Sequence, residues 1–263
     1  MSARPPGPDV REQLTTVRGR VVRSLVVGQQ RGAPTPLVVV IPGLGLTRYT
    51  LPTARAVVER ALDCTVLDLP GFGSDRPRPT RPIIQAIGLT AARWVEAVAA
   101  GRPVVVLGHS TGAQAALTTT LALSAHGRDD VSLVLAGTTF APTQRRLTGL
   151  ALATPPAYRD DRPDQIDPAE AFRGRTGMVT ILQSGLRDSP EKRIAHLRVP
   201  VTVTAGVHDA FAPVTWLDQL ASSADSAPSV RTSLLGGSHN NLFTHPAEMA
   251  ELVVLAAADA TTR

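Results

Sequence analysis

The chain has 263 residues, 43% of them hydrophobic, enough to bury one large α/β core and to exclude disorder over most of its length. Its net charge of +5 is carried almost wholly by arginine, interleaved with Asp and Glu. Only 3% of residues are aromatic. With neither a basic run nor base-stacking platforms, nucleic acid is not an expected partner.

Residues 1–10 are Pro-rich and polar, which predicts a flexible tail. They contain no apolar leader, and no later stretch is long enough to span a bilayer. A cytoplasmic chain without membrane association is therefore expected. Between Leu14 and Val27, β-branched residues predict one or two antiparallel strands turning near Arg18-Gly19. Leu37–Ile41 is a continuous apolar run bounded by Pro and Gly, the pattern of a strand buried on both faces. The pattern recurs at Cys64–Leu67, Val104–Leu107, Leu133–Leu135 and Val201–Thr204, and a last strand is expected at Val230–Leu235. Cys64, the one cysteine, excludes an internal disulfide and reads as a buried, inert thiol. Helix-like segments separate these runs at Pro52–Leu62, Ile83–Ala100 and Thr111–Ala125, and a final helix is expected near Pro246–Ala258. Strands alternating with helices predict βαβ units and a parallel sheet. Residues 141–195 break the alternation with paired prolines, Arg/Asp clusters and short apolar pieces. They predict a cap of short helices over one end of a core made of residues 11–140 and 196–263.

The chemistry is concentrated where Val104–Leu107 runs into Gly108-His109-Ser110-Thr111-Gly112. A serine on a tight strand-to-helix turn needs small neighbours two residues either side. The turn lifts its hydroxyl above the carboxyl edge of the sheet and aims the next helix's N-terminus at developing negative charge. Serine is a poor nucleophile without a base held by an acid. Asp209 follows the strand at Val201–Thr204, and His239 follows the one at Val230–Leu235. No carboxylate lies between Val131 and Arg159, so the strand ending at Leu135 offers no rival acid. The predicted roles are nucleophile for Ser110, acid for Asp209 and base for His239. His109 is expected to point away from this group, His208 to be a loop or pocket-wall residue, His245 structural, and His126 and His196 superficial. Two N–H donors must hold an oxyanion, each contributing on the order of 3 kcal/mol. The backbone of Thr111 is one candidate. The Gly-rich loop Pro42–Leu46 provides the other, the Leu44 N–H. No His/Cys/Asp grouping has metal-ligand spacing, and neither metal nor cofactor is expected.

Together these residues resemble the α/β-hydrolase superfamily, in the serine-nucleophile branch with a small lid domain. Asp68-Leu69-Pro70-Gly71-Phe72-Gly73-Ser74-Asp75 looks like that family's loop after its fourth strand. Ser238-His239-Asn240-Asn241 and His245-Pro246-Ala247-Glu248 look like its C-terminal histidine segment. The resemblance implies a mostly parallel eight-stranded sheet flanked by helices, with the lid after the sixth strand. Where the family often has His-Gly before the oxyanion residue, this chain has Pro42-Gly43. Ser110 at the elbow disfavours the branches that use an aspartate nucleophile.

The implied activity is cleavage of a carboxylic ester, thioester or lactone of a small to medium apolar substrate through an acyl-enzyme, by a monomer or homodimer. Leu147, Leu150, Tyr158, Phe172 and Met178 are the candidate wall of the substrate pocket. Carbon–carbon bond hydrolysis, acyl transfer, cofactor-free haloperoxidase chemistry and a ligand-sensing receptor remain open alternatives on the same fold.

Overall fold

The computed structural model describes residues 9–99, 101–161 and 163–262, apart from the side chains of Leu147 and Pro163. The expected tail lies outside the described residues as far as residue 8, and the first strand already begins at Val10. Eight strands form one sheet: β1 (Val10–Val17), β2 (Arg20–Val27), β3 (Leu37–Ile41), β4 (Asp63–Asp68), β5 (Val104–His109), β6 (Val131–Ala136), β7 (Val201–Gly206) and β8 (Val230–Leu235). Their order is β1-β2-β4-β3-β5-β6-β7-β8. β2 is antiparallel to both its neighbours, and every other pairing is parallel, so the mostly parallel eight-stranded sheet expected from the sequence is what forms.

The helices among the described residues are α1 (Leu51–Glu59), α2 (Ile84–Val98), α3 (Thr111–Ala125), α4 (Leu147–Ala157), α5 (Pro168–Arg187), α6 (Pro190–Arg193), α7 (Val214–Ser223), α8 (Asn241–Thr244) and α9 (Pro246–Thr261). None is long and apolar enough to cross a membrane. β3 to β7 are buried on both faces because side chains alternate between two cores. Leu37, Val39 and Ile41 join a core with residues of α2, α3 and α7, while Val38 and Val40 join one with residues of α1 and α9. α7 went unassigned in the sequence. It is a short amphipathic helix whose Trp216, Leu217 and Leu220 supply the buried i, i+1, i+4 face.

α4 to α6 lie between β6 and β7, over the stretch where short helices were expected, but α5 runs for 20 residues. Asp167 caps it, accepting from the Ala169 N–H at 2.8 Å and the Glu170 N–H at 3.4 Å, and Pro168 fits the first turn. Its buried face carries Gly174, Gly177 and Gly185, so the apolar periodicity that marks a long helix is faint. These small residues allow a close approach: a Cβ at Gly177 would collide with the Phe72 ring. α5 is also tied down by polar contacts. Glu170, 2% exposed, accepts from the Thr47 N–H at 3.0 Å, the Arg48 N–H at 3.4 Å and the Thr47 hydroxyl. Burial raises the pKa of the Glu170 carboxyl, and the Thr47 hydrogen bond works against that shift. Gln114 of α3 donates to the Gly185 carbonyl at 3.0 Å. α5 thus crosses the carboxyl ends of the strands, above the loops after β3 and β4.

Candidate active site

Ser110 sits between β5 and α3 with φ 57° and ψ −128°, a left-handed conformation that costs a non-glycine residue about 1–3 kcal/mol. The surroundings hold it there. A Cβ at Gly112 would collide with the Ile41 carbonyl, and one at Gly108 would stand 2.5 Å from the Ala116 Cβ. The two glycines therefore let α3 close down on β3 and β5. The Ser110 N–H donates to the Ala136 carbonyl at 2.9 Å, fixing the turn against β6.

β7 and β8 bring up the other two predicted residues. Ser110 Oγ lies 2.9 Å from His239 Nε2, and His239 Nδ1 lies 2.9 Å from Asp209 Oδ2. All three residues are buried. Asp209 Oδ1 accepts from the N–H groups of Phe211 (2.9 Å) and Ala212 (3.2 Å), which leaves Oδ2 for the imidazole. A carboxylate at Nδ1 sets the tautomer, so Nε2 is the lone-pair nitrogen facing the serine hydroxyl. Gly137, with φ 52°, makes room for this chain: a Cβ there would stand 3.0 Å from Asp209 Oδ2 and 3.3 Å from the His239 ring.

The Leu44 N–H and Thr111 meet, in a way the sequence did not foresee. Leu44, at φ 51°, directs its N–H onto Thr111 Oγ1 at 2.8 Å. As the first residue of α3, Thr111 has no helical partner for its own N–H.

The cavity at Ser110 has two lobes. One, of about 170 Å³, is walled by Phe140, Leu150, Leu182 and Phe211, with Thr111 at its base. The other, of about 100 Å³, is walled by Leu46, Ile166 and Met178. Ser110, Leu44 and Tyr158 border both. Of the predicted wall, Leu150, Tyr158 and Met178 are therefore in place, while the side chain of Leu147 lies outside the described residues. Phe172 is not in the wall. It is 58% exposed, with the Arg175 guanidinium 4.3 Å from its ring centre. It lies two residues from the inward-facing Glu170, which places it about 200° around the helix, on the outer face of α5.

Three features of the site were missed. His109 does point away from the serine, yet it is buried under His239 with ring centres 4.8 Å apart. Its Nε2 donates to the His239 carbonyl at 2.8 Å, and its Nδ1 accepts from the Tyr49 hydroxyl at 2.7 Å. Tyr49 in turn accepts from the Gly43 N–H at 2.7 Å. This chain needs a neutral His109, and burial, followed by the adjacent His239, pushes its pKa down to about 3. Second, Tyr158 and Phe211 present ring edges to the His239 imidazole at 5.6 and 4.9 Å between centres. Third, the end of α4 and the segment after it grip the histidine loop. The His239 N–H donates to the Ala157 carbonyl at 2.8 Å, Ser238 Oγ to Asp161 Oδ1 at 3.1 Å, and Asn240 to Asp161 Oδ2. No local sequence signal marks such pairings, which join residues more than 75 positions apart.

Of the remaining histidines, His208 is exposed and pairs with Asp160 at 2.9 Å, His245 precedes α9 without a side-chain cap bond to it, and His126 and His196 are exposed. Cys64 is fully buried, and burial raises its thiol pKa far above the ordinary range. Among the described residues no group of three or more His, Cys, Asp or Glu is disposed to share a metal ion.

A model of the alpha/beta hydrolase family matches residues 38–252. The spectinabilin polyketide synthase system protein NorC of Streptomyces orinoci is 37% identical over 112 residues, which is 41% of this chain but 5% of that protein's length. Similar solved structures include a thermophilic esterase from Thermogutta terrifontis (TM-score 0.68, 16% identity, 95% of this chain and 99% of that one). A bromoperoxidase from Bacillus anthracis gives the same TM-score and identity over 95% of this chain and 100% of its own. An enol-lactonase from Burkholderia xenovorans gives 0.67 at 18% identity, over 95% and 100%. At these identities the structural likeness establishes a shared fold.

Proposed function

The chain belongs to the alpha/beta hydrolase family, and from that premise we propose that it is a serine hydrolase cleaving a carboxylic ester, thioester or lactone of a small to medium apolar substrate. The observation that supports this reading is the continuous Ser110–His239–Asp209 chain, two hydrogen bonds of 2.9 Å, opening on an apolar cavity. Residues 141–195 act as its cap.

In the proposed reaction Ser110 Oγ attacks the carbonyl carbon, and the π electron pair moves onto the carbonyl oxygen. The Ser110 proton passes to His239 Nε2, and Asp209 stabilises the resulting imidazolium. As the tetrahedral intermediate collapses, the leaving oxygen or sulfur takes that proton and the acyl group stays on Ser110. Water then attacks the acyl carbon while losing a proton to His239. Collapse returns the proton to Ser110 Oγ and releases the acid. Tyr158, Phe211 and the buried setting keep the imidazole in an apolar enclosure, where its charge contacts act more strongly than in water.

The test is labelling with a fluorophosphonate, followed by mapping of the modified residue and assay of Ser110→Ala on p-nitrophenyl acetate. Label on Ser110 and a loss of at least about 10⁴-fold in turnover are expected. Label elsewhere, or turnover that survives in the alanine variant, sinks the reading. An ester and a thioester are both open as the acyl donor under this reading. Comparing an N-acetylcysteamine thioester with the ethyl ester of the same acid separates the two donors.

A further inference from the structure

The Leu44 N–H, the expected second oxyanion donor, already has an acceptor, Thr111 Oγ1 at 2.8 Å. An oxyanion bound directly by that N–H would need the place the threonine hydroxyl holds. Thr111 is 2% exposed, and its methyl group faces Gly185 of α5, where an added Cβ would stand 3.4 Å away. A buried, β-branched side chain against a neighbouring helix has little rotamer freedom.

The hydroxyl has a proton of its own to place. Thr118, Thr119 and Thr120 of the same helix donate theirs back to the carbonyls of Gln114, Ala115 and Ala116. Thr111 opens the helix, so no carbonyl of α3 stands four residues before it. Among the described residues no acceptor takes its proton. Thr111 borders the cavity beside Ser110, at the positive end of a 15-residue helix.

We propose that the Thr111 hydroxyl is itself an oxyanion donor, polarised from behind by the Leu44 N–H. The oxyanion would then receive the Thr111 backbone N–H and the Thr111 O–H, while Leu44 acts through the hydroxyl. The proton stays on Thr111 Oγ1 throughout, so this is hydrogen bonding and not proton transfer. An N–H bonded to the hydroxyl oxygen increases the partial charge on its hydrogen. The role rests on the hydrolase reading above.

The test compares Thr111→Val, Thr111→Ala and Thr111→Ser with wild type on p-nitrophenyl acetate, with fluorophosphonate labelling and a urea unfolding curve for each. Valine and alanine keep the backbone N–H and remove the hydroxyl. Both are expected to lower kcat by about 10²–10³-fold at little-changed KM, the size of effect seen when one oxyanion donor is lost. Serine restores the hydroxyl and is expected to return kcat to within about 10-fold of wild type. Alanine has the highest helix propensity, so it supplies the reading if valine fails to fold. Equal or faster turnover in the alanine variant means that Leu44 serves the oxyanion directly, and overturns the proposal. So does a serine variant as slow as alanine. A wild-type protein that neither turns over the ester nor takes label at Ser110 defeats the hydrolase reading and this role with it, a result unlike either of those.

Discussion

His109 shows how one side chain beside Ser110 can bear on the whole fold. Its neutral ring links Tyr49 to the backbone of His239, and its pKa is pushed down to about 3 from 6.5, first by burial. The folded chain therefore keeps the ring neutral, whereas the unfolded chain takes up a proton below about pH 6.5. The stability this provides is complete above pH 6.5 and is lost as pH falls toward 3, by up to about 1.4 kcal/mol per pH unit. His109→Gln can donate to the same carbonyl and accept from the same hydroxyl without titrating. Urea unfolding at pH 7.5 and pH 5.0 is expected to show wild type losing about 2 kcal/mol more than the glutamine variant. Equal losses would assign the acid sensitivity to other groups.

At the scale of elements, the end of α4 and the segment leading out of it steady the loop that carries His239. Asp161 accepts from the residues on both sides of His239, and Ala157 accepts from His239 itself. Removing the carboxylate by Asp161→Ala frees the loop to shift while leaving every group of the Ser–His–Asp chain present. The expected outcome is a fall of about 10–100-fold in kcat, because small misplacements of a reacting group are costly. Fluorophosphonate labelling slowed to a similar degree, with the unfolding midpoint little changed, is the accompanying signature. Full activity would reduce this clamp to a surface contact. The anchor of α5 is of another kind. Glu170→Ala strips Thr47 and Arg48 of their buried acceptor and is expected to cost about 1–3 kcal/mol in unfolding free energy.

Across the whole molecule, loops at the sheet's carboxyl edge carry Ser110, Asp209 and His239, and the helices over that edge limit the space around them. The larger lobe is about 170 Å³ and the smaller about 100 Å³, both below the usual range for drug-sized ligands. A panel of p-nitrophenyl esters is therefore expected to give its highest kcat/KM with short acyl chains and to decline as the chain lengthens. Leu182→Ala, at the wall of the larger lobe, is expected to move that optimum to longer chains by one or two carbons. An unchanged profile would show that the acyl group lies elsewhere.

The strands and the three candidate site residues were legible in the sequence because each follows from local chemistry. Buried strands read as unbroken β-branched runs such as Leu37–Ile41, and the serine elbow demands glycines at fixed spacing. Asp209 and His239 each follow a strand, and parallel strands bring such residues to one edge. α5 escaped because glycines replace its apolar face, and Phe172 was misplaced for want of that helix's phase. Tyr49, Gly137 and Asp161 were invisible because their importance lies in what stands opposite them across distant parts of the chain. By itself the sequence determined the fold class and the candidate nucleophile, base and acid. Only the tertiary structure decided that the Leu44 N–H meets a threonine hydroxyl, since a hydrogen bond between residues 67 positions apart depends on how two loops pack, which no local pattern encodes.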